Sequence, residues 1–260
     1  METGKIYKGI GLTFKIMKDT PSGYMHWKVL FYYMLLILIT DCFIWYNAGS
    51  LNGYDWKFLV VYSLMSYPLW IIISLKGLGK EQIDLFESSK WHAVDLFPSG
   101  VTNVFLIHYL GKVYKDKWFY CWVTVYVFLS VSHGYGLITI LLALLCIMIG
   151  SCNLILAGIL TRYYSPKGYS NILSSMFYSL TWIFSGAVFP LGMISNSFLF
   201  YILNPFGASI SVPLSVLDPT MVEGRDQLIL YVLVGSIVWF FLFFKLCRGA
   251  ENSQREKFYS

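Results

Sequence analysis

The chain has 260 residues, 57% of them apolar and 19% aromatic but only 13% charged, with a formal net charge of +5. Soluble domains carry about 25% charged residues, so the composition excludes a soluble enzyme or a nucleic-acid-binding domain and describes an integral membrane protein. The apolar residues gather into windows, several of which reach the roughly 20 residues needed to cross a hydrocarbon core.

In chain order, residues 1–28 are lysine-rich and lack a short apolar core followed by a small-residue cleavage site, so no cleaved signal peptide is expected. The fold class expected is an all-α membrane protein with six transmembrane helices in a single domain. Their spans are about 28–45, 58–75, 118–131, 135–160, 171–189 and 228–246. The apolar run 101–110 is too short to cross and reads as interfacial. Asp41 lies within the first span, where a carboxylate is costly unless it reaches water or a partner. It faces either a translocation pathway or the outer interface.

After the second span, residues 79–91 interleave Ile83, Leu85, Phe86 and Trp91 with Glu81, Asp84, Glu87 and Lys90. That pattern predicts an amphipathic helix at the inner surface. It rests in the headgroups or docks a cytoplasmic partner. The fourth span carries Gly136, Ala143, Gly150 and Ala157 at seven-residue spacing, a small-residue stripe that lets a neighbouring helix approach closely. The sequence leaves open whether that neighbour lies in the same chain.

The fifth span places Asn171, Ser174, Tyr178, Thr181 and Ser185 on one helical face. Polar groups facing lipid are expensive, so this face lines a pathway or glues helices together. Beyond it come Ser185, Gly186, Phe189, Pro190 and Gly192, then Pro205, Phe206, Gly207 and Pro213. The segment is apolar yet too broken to cross, which predicts a re-entrant element between the fifth and sixth spans. Irregular backbone at membrane depth survives only where protein or a water-filled cavity satisfies it.

Counting Lys and Arg in alternate loops places seventeen of nineteen on the side of both termini, leaving Lys57 and Arg225 opposite. Both ends are therefore expected in the cytoplasm. Trp27 and Trp118 fall at inner ends of spans and Trp45 and Trp56 at outer ends, as interfacial anchors should. The five cysteines form no CxxC pair, and His26, His92, His108 and His133 are scattered singly, so neither a disulfide framework nor a metal site is expected. There is no phosphate loop, HExxH or GxSxG motif, so the chain is expected not to be an enzyme.

Gly79, Ile83, Asp84 and Leu85, with Ser185, Gly186, Phe189 and Pro190 and then Pro205, Phe206 and Pro213, resemble the membrane subunit of type-2 ATP-binding-cassette exporters over the whole length. The proline that such a permease carries shortly after Asp84 is missing here, the next being Pro98. The resemblance implies a multi-pass permease of a bacterial plasma membrane that works as a dimer, with a second copy or a sibling. It also implies that cytoplasmic nucleotide-binding subunits hold ATP and Mg, while this chain binds no cofactor itself. Glu81, Ile83, Asp84, Leu85, Glu87 and Lys90 would form the coupling helix. Asp41 and the fifth-span stripe would line the route, and Gly186, Phe189, Pro190, Pro205, Phe206 and Pro213 would form the gate. The rivals are an immunity, sensor or assembly factor without transport, and an intramembrane enzyme using Asp41 or His133.

Overall fold

The computed structural model describes residues 100–164, 176, 198–204 and 225–259. Among the described residues every regular element is a helix: α1 Val101–Tyr114, α2 Lys117–Ser132, α3 Leu137–Tyr163, α4 Phe198–Leu203 and α5 Arg225–Tyr259. The third, fourth and sixth expected spans correspond to α2, α3 and α5. The first and second spans, the fifth apart from residue 176, and the inner segment 79–91 lie outside the described residues.

Among the described residues two helices are long and apolar enough to cross a membrane, α3 and the Ile229–Glu256 part of α5, with 18-residue stretches of mean hydropathy 2.6 and 2.3. At 1.5 Å per residue the 27 residues of α3 extend about 40 Å. An all-helical membrane protein is the architecture these two elements support.

A tight turn joins α2 to α3. Gly134, at φ 82°, donates to Val131 O at 2.9 Å, and Tyr135 donates to Ser130 O at 3.1 Å. This crossed pair of bonds around a left-handed residue satisfies the last carbonyls of α2, and it turns the chain back so that α2 and α3 form a hairpin.

The core lies between α3 and α5. Ile140, Ala143, Ile147, Gly150, Leu154 and Ala157 recur at alternating steps of three and four on α3, and all are buried. Ile229, Val232, Ser236, Phe243, Cys247 and Ala250 form the matching buried seam on α5. Steps of three and four repeat every 3.5 residues, which keeps two helices in register over many turns. Three of the four stripe residues, Ala143, Gly150 and Ala157, thus find their neighbour within the same chain, whereas Gly136 is exposed at the N-cap of α3. Asn153 meets Ser236, and Leu156 meets Cys247, so the two helices run in the same direction.

The 101–110 run proves to be part of a longer helix, set differently from an isolated surface segment. α1 continues through Gly111, Lys112 and Val113, and at its two ends it touches opposite ends of the C-terminal half of α3. Thr102 lies near Tyr163, and Tyr114 lies near Ser151 and Cys152. Twelve residues of α3 are matched by twelve of α1 in the opposite direction, so α1 runs lengthwise along α3. Its buried Leu106, Tyr109 and Val113 join the core. Every residue of α3 from Asn153 to Ile159 is consequently buried, whereas Leu137, Ile138, Leu141, Leu145 and Met148 in the N-terminal half are exposed. Lys112, Lys115 and Lys117, counted above in an inner loop, sit on α1, at its C-terminal cap and on the first residue of α2.

An aromatic ladder bridges the break between α1 and α2. Tyr114 meets Phe119 edge-on at 4.9 Å, Phe119 stacks on Trp122 at 5.8 Å, and Trp122 stacks on Tyr126 at 5.2 Å. Asp116 precedes α2 and its carbonyl accepts from Phe119 N at 3.1 Å, the position at which Asp commonly begins a helix.

Candidate functional site

The hydroxyls of the long helices mostly turn inward on their own backbone. Ser130 donates to Tyr126 O, Ser151 to Ile147 O and Thr161 to Ala157 O, each at 2.8 Å and four residues back. Such bonds let a hydroxyl sit in apolar surroundings at little cost. Asn153 behaves differently. Its Nδ2 donates across the seam to the Ser236 carbonyl at 2.9 Å, while its fully buried Oδ1 has no hydrogen-bond partner among the described residues. The Tyr114 hydroxyl lies beside Ser151 but short of hydrogen-bond geometry. Tyr114, Ser151, Asn153 and Ser236 thus make a polar layer near the middle of α3.

At a similar depth α4 docks on α5. The indole N–H of Trp239 donates to the Ile202 carbonyl at 3.3 Å. A side chain at Gly235 would meet Ile202 Cγ2 and its carbonyl oxygen at 3.2 Å each, so glycine is what permits the approach. Trp239 lies ten residues beyond Ile229, about 15 Å along the helix, or half of a hydrocarbon core about 30 Å thick. Six residues cannot cross that core. α4 therefore reaches the midpoint of a long apolar helix without being able to span beside it.

The third polar assembly lies at the opposite end of α5. Glu251, 0% exposed, accepts from Val101 N at 3.1 Å on Oε1, and from Thr102 N at 3.1 Å and Thr102 Oγ1 at 2.8 Å on Oε2. Arg255 donates to Oε1 at 2.9 Å, and Arg248 lies 3.5 Å from Oε2. A carboxylate here meets two of the amides a helix start leaves unpaired, together with the positive end of the helix dipole. Gly100 just before has φ 81° and ψ 159°, a region open to glycine almost alone, and the Arg248 guanidinium occupies the place its side chain would take.

None of the sequence-predicted site residues is among the described ones. Asp41, Glu81, Ile83, Asp84, Leu85, Glu87, Lys90, Asn171, Ser174, Tyr178, Thr181, Ser185, Gly186, Phe189, Pro190, Pro205, Phe206 and Pro213 all lie outside them. α4 falls inside the predicted re-entrant stretch, between its two proline clusters. Asn153, Trp239 and Glu251 escaped the sequence reading. The signal for Asn153 was an amide alone in an apolar window, and for Glu251 the spacing of Arg248, Glu251 and Arg255 by three and four. Among the described residues no three His, Cys, Asp or Glu side chains gather to hold a metal.

Comparison with models of protein families, with curated proteins and with solved structures gives no match.

Proposed function

We propose that the chain is the permease subunit of an ATP-driven exporter, with six spans, both termini in the cytoplasm of a bacterial cell and a separate ATPase as its energy source. The observation that carries this reading is α4, a six-residue helix held at the midpoint of α5 by Trp239 and Gly235. A short helix at that depth fits a re-entrant element beside a pathway, since broken backbone within a membrane is tolerated where it borders a cavity. Asn153 Oδ1, buried with no partner among the described residues, is in keeping with a polar interior.

Having no phosphate loop, the permease turns a partner's movement into a change of access. In this reading Glu81, Ile83, Asp84, Leu85, Glu87 and Lys90 receive that movement. Asp41, Asn171, Ser174, Tyr178, Thr181 and Ser185 line the route, and Gly186, Phe189, Pro190, Pro205, Phe206 and Pro213 shape its exit. Two permeases, identical or sibling, would enclose the route.

The full chain purified from its native membrane in mild detergent should bring with it a phosphate-loop ATPase in stoichiometric amount, together with ATP hydrolysis. A preparation without either points instead to a multi-pass protein that does not transport. For that alternative the tight α3–α5 seam and i−4 hydroxyl bonds are sufficient as packing.

A further inference from the structure

The exporter reading makes no use of the contact at the inner end of the bundle, where residues 149 and 150 positions apart converge. Fourteen residues make α1 about 21 Å long, too short to cross a bilayer. Such a helix has two homes in a membrane, flat in the interface or upright against other helices. α1 suits both, because Thr102, Leu106, Tyr109 and Val113 form one buried stripe while Asn103, His108 and Lys112 are only half-buried.

Its N-terminus settles the choice. Upright, the first amides of α1 enter the bundle and leave water, which is costly unless something accepts from them. Glu251 supplies the acceptor, Arg248 and Arg255 balance its charge, and Gly100 leaves the space that Arg248 fills. We infer that Glu251 is a latch that seats α1 over the inner half of the α3–α5 seam, and that releasing it uncovers the seam from the inner side. In the exporter reading, on which this meaning rests, the seated state closes the inner end of the route.

Two native cysteines report on the latch. Cys247 lies one turn before Glu251 on the same face of α5 and is fully buried, with its Sγ 3.4 Å from Leu156 O. Cys146, equally buried, lies beside Ser236, farther along α3 than the Ser151 level that α1 reaches. The full chain in lipid vesicles is treated with N-ethylmaleimide, and each cysteine is read by mass spectrometry. Glu251→Gln keeps the size but loses the charge, and should speed modification of Cys247 by about tenfold or more, as expected for weakened charge-assisted bonds, with Cys146 unchanged. Thr102→Val, which removes one donor, should give a smaller increase and serves where Glu251→Gln does not accumulate.

If Cys247 reacts no faster in either variant, the latch is overturned. It is equally overturned if Cys146 accelerates in step, because the whole seam would then have loosened. The labelling needs neither ATP nor a partner. Faster Cys247 reaction in a protein that brings down no ATPase would leave the latch standing and remove the exporter.

Discussion

Trp239 hydrogen-bonds the carbonyl of Ile202 at 3.3 Å, so the next-to-last residue of α4 is capped by a side chain from the middle of α5. The last carbonyls of any helix lack partners within it, and at this depth a donor from a neighbour replaces water. Trp239→Phe keeps the ring and removes the donor, and should cost about 1–3 kcal/mol for the orphaned carbonyl. Thermal unfolding of the detergent-solubilised protein measures this. Gly235→Ala should lower stability by a similar about 1–3 kcal/mol through overpacking against Ile202. An unchanged midpoint in both variants would show that α4 does not bear on α5.

Asn153 offers a test in which the sign is informative. Its amide bond to Ser236 is of the kind worth about 0.6 kcal/mol in membrane proteins, and its Oδ1 is buried without a partner among the described residues. Asn153→Leu should therefore leave stability within about 1 kcal/mol of the wild type, whereas Asn153→Asp must either bury a charge or take up a proton at a fully buried position and should destabilise the protein, the more so as pH rises. Should transport fall in Asn153→Leu while stability holds, the amide serves the route.

The two left-handed glycines should respond unequally. Gly134→Ala meets no neighbour and bears only the backbone penalty of about 1 kcal/mol. Gly100→Ala adds a collision with Arg248 in a region nearly closed to other residues, and should cost about 1–3 kcal/mol. Unfolding midpoints of the two variants, compared side by side, measure the difference.

In the exporter reading, docking to an ATPase rests on charge. Combined reversal at Glu81, Asp84 and Glu87 to Lys should reduce co-purification of the ATPase at least tenfold, with membrane abundance unchanged. Undiminished association would remove the coupling assignment of that segment.

The fifth-span stripe separates pathway from glue. Ser174→Trp or Thr181→Trp should stop export at normal membrane abundance if the face borders a route. Continued export, or a protein that no longer accumulates, assigns the face to packing.

Hydropathy and spacing made α2, α3 and α5 legible, and the seven-residue stripe on α3 announced a close neighbour before that neighbour was known. What they concealed has physical causes. The tail after residue 246 read as a charged end because a window average sees Arg248, Glu251 and Arg255 only as polar. Their spacing by three and four is that of ion pairs along a helix, and α5 indeed runs to Tyr259. No local pattern could say that Glu251 meets Thr102, since the bond joins residues 149 apart. Lys112 ended the apolar run at 110 on paper, yet its ammonium lies over the Tyr109 ring at 5.3 Å and the helix continues. The anchor of α4, Trp239, lay in a different apolar window, so nothing local to residues 198–203 announced that contact.

α5 is one uninterrupted helix of 35 residues, and its contacts with α4 at Gly235 and with α1 at Glu251 lie sixteen residues or about 24 Å apart. A rod of this kind has no joint at which one contact can be set without the other. Tilting it to free α4 must shear Glu251 across the start of α1, and holding Glu251 in place must restrict α4. The α4 contact and the Glu251 contact are therefore geared to one another by the stiffness of a single helix, with no relay of side chains needed between them.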